Sequence, residues 1–416
     1  MKYGTSSRRY THFFIIIVAL SDNLFGLLNA DSINIKGIFN LDIVWQMLAS
    51  GFAIYIYWKN SKNGRIILNW MNVCILLLLA SCFVAALQCT LITGQPFIRG
   101  ILPQRTFIVA LLCAFLLQGL VASKLIDINQ IIDMFVVIGT VVGVAYLFQA
   151  VSGVQIFHVL QNERYGSARL YMQSCFPDMA GFIGFWRLLE TGRIKYAFPA
   201  FLTIILSLFV SKGRLELIAL LVTYFLVMLV VRRKADIKFY LISFFSLCVV
   251  LFISSSYGER LLANFNSSSV ESDTTSIRRQ GRLLYSTQLQ ESVVNRIFGC
   301  GYPNVLYSPA AHRAGLDEGI ILGDNGIFAF IYVHGFLGLI AIVSIVLLVL
   351  RFALLNIKSE AGLFCFTFLS FSLVACSNIT WWWFSGAWPM TFALVICCAQ
   401  TEVSLDNEFL SHKKLK

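Results

Sequence analysis

Apolar runs long enough to cross a membrane recur along almost the whole chain, separated by short polar punctuation. A helix needs ~20 residues to cross a ~30 Å hydrocarbon core. By that measure the pattern predicts twelve spans: His12–Ala30, Gly37–Trp58, Ile66–Thr93, Thr106–Ser123, Ile131–Gly153, Pro177–Leu189, Tyr196–Val210, Leu215–Val231, Phe239–Ser255, Gly323–Leu350, Ala361–Thr380 and Ser385–Gln400. The sixth and seventh are short, which predicts tilted or partly re-entrant segments. Ser254 to Leu322 runs 69 residues without a membrane-length apolar run. The expected fold is all-α: a polytopic membrane helix bundle with nine spans in 1–253, a large and partly helical outer loop at 254–322, and three spans plus a tail in 323–416.

Composition supports this class and removes others. The chain is 58% hydrophobic and only 13% charged, with a mean hydropathy of +0.77. A soluble protein carries about twice that charge fraction, and a β-barrel would show short alternating segments. The net charge of +11 fits the Lys/Arg excess of cytoplasmic loops; no soluble segment is long enough to form a basic nucleic-acid-binding domain. The 11 Cys lie mostly inside apolar runs and form no Cys-x-x-Cys pair, so neither a disulfide framework nor a metal site is expected. Lys2, Arg8 and Arg9 ahead of Phe13 to Leu20 suggest a signal peptide. Asp22 interrupts that run and Leu28 suits a cleavage site poorly, so a retained first helix is expected.

Cation placement sets the expected sidedness. With the N-terminus inside, inner segments hold 19 of the 32 cations and outer segments 13, so both termini are expected in the cytoplasm. Their identities differ more than their numbers. The inner set has 11 Lys and 8 Arg; the outer set has 2 Lys and 11 Arg. Arginine presents a planar fork of donors that fits phosphate two bonds at a time. An Arg-rich outer face therefore points to an anionic ligand. The alternative is pairing with outer carboxylates such as Glu163, Asp178, Asp273 and Glu291.

Several outer stretches carry candidate chemistry. "SLFVSKGRLELIALLV" turns at Gly213 and places Arg214 at a helix N-terminus, where free N–H groups also attract anions. Its alternatives are a snorkelling cation or pairing with Glu216. In the large loop, "NFNSSSVESDTTS" reads as polar and mobile. "IRRQGRLLYSTQLQESVVNRIF" reads as one amphipathic helix with an apolar stripe at Tyr285, Leu289, Val293 and Ile297. Arg278, Arg279 and Arg282 converge at its start, either on an anion or on lipid headgroups. "FGCGYPN" is a tight turn. His312 is a candidate for proton transfer, or an incidental loop histidine. Asp324 and Asn325 open the tenth span, as a polar site or a helix cap. A second outer loop brings Arg164 and Arg169 past Gly166, Pro177 and Gly181, which suggest a folded-back path. "NITWWWFSGAWPM" places four Trp at the last outer interface, as an aromatic belt or a sugar-stacking surface.

The ordered set resembles the bacterial O-antigen polymerase and O-antigen ligase superfamily. "SLFVSKGRLELIALL" is similar to that family's Ser-x-x-Arg start of a helix. "RRQGRLLYSTQLQESVVNRIFGCGYPN" is similar to its arginine helix and Gly-x-Gly turn. "DNGIFAFIYVHGFLGLIAIV" is similar to its return helix, with Gly335 and Gly338 as a Gly-x-x-Gly step. "RLYMQSCFPDMAGF" is a fainter match. The motifs cover about a quarter of the chain. The ligase branch carries a His-Asn pair where this chain has Asp324-Asn325, which favours the polymerase branch unless His312 substitutes.

The resemblance implies a glycosyltransferase acting on undecaprenyl-diphosphate-linked repeat units, as donor and acceptor, at the periplasmic face of the inner membrane. Arg214, Arg278, Arg279 and Arg282 are expected to stabilise the departing diphosphate, with Asp324 or His312 as base. Arg164, Arg169 and Arg313 are expected to help bind substrate. No Asp-x-Asp metal constellation is visible on the outer face, so metal independence and no cofactor are expected, with a chain-length regulator as a possible partner. The rivals are an O-antigen ligase, a secondary transporter, a flippase of lipid-linked sugars and an anchoring protein. A transporter calls for ionisable groups at the midplane and two related halves; only Asp22 falls clearly mid-span, and no repeat is evident.

Overall fold

The computed structural model describes residues 69–122, 126–164, 167–172, 174–231, 270–377 and 386–398, together with isolated positions between 18 and 58 and Trp383. Three expected spans, His12–Ala30, Gly37–Trp58 and Phe239–Ser255, fall outside these residues apart from isolated positions, as do both termini. The described part is all-α apart from one hairpin. Its α-helices of six residues or more are α1 (Trp70–Thr93), α2 (Arg105–Ala122), α3 (Ile128–Ser152), α4 (Cys175–Thr191), α5 (Ala197–Ile205) and α6 (Arg214–Val230). After them come α7 (Val270–Gln290), α8 (Val293–Phe298), α9 (Ser308–Arg313), α10 (Gly326–Leu355), α11 (Glu360–Ala375) and α12 (Ala387–Cys398). Five helical stretches are long and apolar enough to cross a membrane: Trp70–Thr93, Phe97–Phe115, Ile128–Ser152, Ile194–Ser211 and Leu322–Leu355. Shorter apolar helices cover Leu215–Val230, Glu360–Ala375 and Ala387–Cys398. The chain therefore has the character of a membrane helix bundle.

Local chemistry explains the helix limits. Asn69 and Asp127 accept from backbone N–H groups and start α1 and α3; Gly94, Gly153 and Gly192 end α1, α3 and α4 in the left-handed conformation. Such caps satisfy the end groups that hydrocarbon cannot.

Helix α4 sits in the middle, buried from Cys175 through Phe185 and packed by α3, α5, α6 and α11. Close approach here needs small residues. A Cβ on Gly139 of α3 would strike the Phe176 carbonyl, and one on Gly181 would strike Thr203 and Tyr224. Phe135 stacks on Phe176 at 4.6 Å. Pro177 and Gly181, expected to fold the chain back, instead lie inside α4. The fold-back is the upstream hairpin β1 (Gln161–Arg164) and β2 (Ser167–Leu170), with Glu163 paired to Ala168.

One end of the bundle is fixed by charge. Arg187, near the end of α4, donates to Asp133 of α3 at 2.6 Å and to Glu360 of α11 at 2.8 Å. Its side chain is 12% exposed, against 60% and 26% for the two acids. Replacing Arg187 with Ala leaves two carboxylates facing each other. The expected loss is on the order of 1–3 kcal/mol, between exposed and buried ion-pair values, read as a lower unfolding midpoint of the purified protein in detergent, with Glu360→Gln losing less.

Candidate functional site

The Gly-x-Gly turn is a packing joint. Gly299 and Gly301 hold φ of 79° and 87°, which other residues adopt only with strain. A Cβ on Gly299 would strike Val333 of α10, and one on Gly301 would strike Ala85 and Cys89 of α1. The Cys300 N–H donates to the Tyr332 carbonyl at 2.7 Å. Burial pushes the Cys300 thiol up to about 12, so it stays protonated and unreactive. Gln95 and Asn304 close the joint: Gln95 Nε2 donates to the Tyr302 carbonyl at 3.0 Å, and the Asn304 N–H donates to Gln95 Oε1 at 2.8 Å. Helix α10 bends at Gly335 (φ 63°, ψ −164°), directly against Gly299.

This joint sets α7 on the mouth of α10. The long loop helix differs from expectation in two ways. It starts at Val270, seven residues before the expected Ile277 and inside the stretch read as polar and mobile, and it breaks at Glu291–Ser292. Ser292 then caps α8, accepting from the Asn295 N–H at 2.9 Å. The predicted stripe ends at the break: Tyr285 is buried, whereas Val293 is 65% and Ile297 43% exposed.

Arg278 and Arg282, one turn apart, both reach the start of α10. Arg278 pairs with Asp324 at 3.6 Å. Arg282 donates to the Ser377 carbonyl at 3.0 Å and lies 5.2 Å over the Phe328 ring. Gly281 lies between them and lets α7 rest on Asn325, whose amide atoms sit 3.0 Å from where its Cβ would be. Asn325 is buried, donates to the Ile321 carbonyl at 2.9 Å, and keeps Oδ1 without a partner. Asn325 holds the cap position of α10 but makes no side-chain cap bond, so capping does not explain it.

The other candidates are placed elsewhere. Arg279 is exposed and lines a shallow groove with Gln280, Leu283 and Thr287. Arg313 pairs with Glu291, the carboxylate alternative. His312 is 73% exposed and pairs with Asp317 at 2.8 Å. Arg169 donates to the Ser211 carbonyl at 2.6 Å and stacks 4.3 Å over Tyr171. The backbones of Arg164 and Arg214 are placed, in β1 and at the first position of α6; their side chains lie outside the described ones. Glu216 Oε2 accepts from Ser211 Oγ at 2.9 Å, and the side chain folds back over Gly213.

Beside that corner, sequence reading missed a buried cluster. Asp178 of α4 is 1% exposed and Lys212 is 5% exposed. Ser174 reaches both Asp178 and Glu216, and Arg169 acts on Glu216. An acid interrupting an otherwise apolar helix is the sequence signal for such a cluster. Two tryptophans of the expected belt are also buried: Trp388 is 1% exposed, and Trp383 is 3% exposed and packs on His334 and Phe330.

Both polar clusters occupy one end of the bundle. The Arg187–Glu360 pair joins the end of α4 to the start of α11, so these helices run antiparallel. The end of α11 therefore lies level with the start of α4, where Asp178 sits. The Ile327 N–H donates to the Cys376 carbonyl at 2.9 Å, bringing the mouth of α10 to the same level. Arg169, Asp178, Glu216, Arg278, Arg282 and Asp324 thus share the end opposite Arg187. No protein-family profile matches the sequence, and no curated protein resembles it significantly.

The loop pair has a defined pH window. The bond and charge of Asp317 hold His312 above its ordinary value, and His312 holds Asp317 below the usual carboxylate range. The His312 contribution is full below the ordinary histidine value and fades as pH rises through the raised one. The Asp317 contribution is full above the ordinary carboxylate value and fades as pH falls through the lowered one. Replacing His312 with Ala should therefore change the unfolding midpoint, slightly, only between those limits, because water screens the pair.

Proposed function

We propose that the chain is a glycan polymerase of the O-antigen type. It joins undecaprenyl-diphosphate-linked oligosaccharide units at the periplasmic face of the bacterial inner membrane, as a twelve-span protein with both termini cytoplasmic. The observation that carries this reading is the convergence of Arg278 and Arg282 on the mouth of α10 beside Asp324 and Asn325. The cations stand on a rigid helix held over a bundle end that also carries the hairpin. In this reading that end faces the periplasm, where a chain-length regulator can reach the product.

The chemistry follows from the charges. An acceptor hydroxyl attacks the anomeric carbon of the donor glycan; the new C–O bond forms as the bond to the diphosphate oxygen breaks. That oxygen leaves with the electron pair, and Arg278 and Arg282 stabilise the added charge. The acceptor proton passes to Asp324. The 3.6 Å Arg278–Asp324 pair is longer than a charge-assisted hydrogen bond, so a diphosphate can take the guanidinium and free the carboxylate. Asn325 Oδ1, an open acceptor, supports orientation of this mouth.

A second reading, transport or flipping of a lipid-linked sugar, is favoured by the buried Asp178, Lys212 and Glu216, which answer part of the demand for ionisable groups within the helices. The two separate on a gel of surface polysaccharide from a deletion strain. Polymerase loss leaves lipid A-core with a single repeat unit; ligase loss leaves uncapped core and accumulated lipid-linked polymer; loss of flipping leaves no repeat unit outside. Complementation should lose the polymer ladder for Arg278→Ala, Arg282→Ala and Asp324→Asn, by roughly 10²-fold or more for each arginine. Arg279→Ala should keep the ladder. Normal ladders in the first three would remove the proposal.

A further inference from the structure

By sequence the stretch from α8 to the start of α9 belongs to the large outer loop, yet it carries the composition of a membrane segment. From Val293 to Tyr307, "VVNRIFGCGYPNVLY" holds one charged residue, Arg296. A mostly apolar stretch of this length is too short to span and suits a re-entrant or interfacial segment. Its outward side chains are mostly apolar: Val294 and Ile297 on α8, then Val305 at 70% and Leu306 at 67% exposure. Arg296 is exposed too, but it reaches back to the Gln290 carbonyl before the helix break, as a snorkelling cation does. Phe97 and Ile98, next to Arg99 in sequence, are also exposed.

Helix α1 measures how deep this stretch goes. Gly301 packs on Ala85 and Cys89, eight and four residues before Thr93, the last residue of α1. At ~1.5 Å of rise per residue, that contact lies roughly 6–12 Å below the helix end. Tyr307 returns to the end itself, its hydroxyl donating to the Thr93 carbonyl at 3.4 Å. The chain thus dips along α1 and climbs out again. Leu91 of α1 is 71% exposed, so the outward apolar surface of a membrane-length helix reaches past the level of the turn. Non-helical backbone is tolerated at that depth only where protein satisfies its polar groups. The deepest part meets this demand. The Gly299 N–H donates to the Asn295 carbonyl at 2.8 Å, the Cys300 N–H donates to Tyr332, and Gln95 serves the Tyr302 carbonyl and the Asn304 N–H. Higher up, the Leu306 carbonyl accepts from Arg99 Nη1 at 3.3 Å, and Asn304 Nδ2 donates to the Arg99 carbonyl at 3.0 Å. A tyrosine and an arginine at the rim, with apolar side chains turned outward, suit a headgroup boundary.

We propose that residues 293–307 form a re-entrant segment seated in the leaflet at the Thr93 end of α1. Val294, Ile297, Val305 and Leu306 lie against acyl chains, and Arg99, Arg296 and Tyr307 sit at headgroup level. The partner is the bilayer itself. Because α7 ends at Gln290, three residues before Val293, this seat also holds the arginine helix at the membrane surface. The inference rests on the membrane bundle and not on glycan joining. A nitroxide spin label is placed on the full chain at Ile297→Cys and at Leu306→Cys, in proteoliposomes of phosphatidylethanolamine and phosphatidylglycerol. Collision with oxygen, which concentrates in hydrocarbon, is compared with collision with a neutral nickel chelate, which stays in water. Leu91→Cys is the hydrocarbon reference, and Glu318→Cys, at an exposed position before α10, is the water reference. All described cysteines except Cys376 are buried, and the signal of the identically treated wild-type chain is subtracted. Oxygen collision should exceed nickel collision severalfold at both positions, as at Leu91. Val294→Cys, one turn away on the same face of α8, replaces Ile297→Cys if that variant fails to fold. Nickel collision equal to or above oxygen collision at either position overturns the proposal. So does low collision with both reagents, as under a second copy or a covering protein. Because the readout is label depth, that failure leaves the polymerase reading untouched.

Discussion

A charge placed among apolar helices must find a counter-charge or a dense set of dipoles, because hydrocarbon offers neither. That constraint organises this bundle. At one end Arg187 draws α3, α4 and α11 together through Asp133 and Glu360. At the other end Arg169 holds the hairpin to the π turn over Leu206–Ser211, and Arg278 and Arg282 hold the loop helix to the mouth of α10. Between these ends the contacts are apolar and close, set by small residues such as Gly139 on α3 and Gly181 on the central helix α4.

The rigid joint at Gly299 and Gly301 converts that constraint into a site. It pins the loop to α1 and α10 through backbone contacts that no larger residue permits. A helix anchored in this way keeps two guanidinium groups at a fixed place over the bundle end. Preorganised cations of this kind serve charge that appears only during reaction. In the proposed function, departure of a diphosphate is the step that would use them.

The helical class was legible from length and hydropathy alone, because a membrane-crossing helix has to be apolar along its length. Six of the expected spans begin within four residues of helices α1, α2, α3, α4, α5 and α6. Other details depended on contacts that no local pattern encodes. Arginine richness pointed to anions or carboxylates, yet Arg99, Arg105, Arg169, Arg282 and Arg296 donate to main-chain carbonyls. A loop carries many such orphan acceptors, and a five-donor fork satisfies them well. The break at Ser292 was hidden because the apolar spacing continues through it, while a serine cap three residues before Asn295 overrides the periodicity. The Trp383 and Trp388 side chains read as interfacial from composition, and turned inward because the bundle offered them aromatic neighbours and space. Asp178 was visible as an acid, but its burial against Glu216 follows from the hairpin and π turn folding over it.

The most direct measurement reconstitutes the purified chain into proteoliposomes with a lipid-linked repeat unit as the only glycan, and follows product length and released undecaprenyl diphosphate together. If Arg278 and Arg282 hold the departing diphosphate, the wild-type chain alone makes polymer with one diphosphate lipid released per bond, and the double Ala replacement makes none while remaining folded. Polymer formation by the double replacement, or no polymer from the wild-type chain under conditions where the unit reaches the hairpin end, would contradict the central claim.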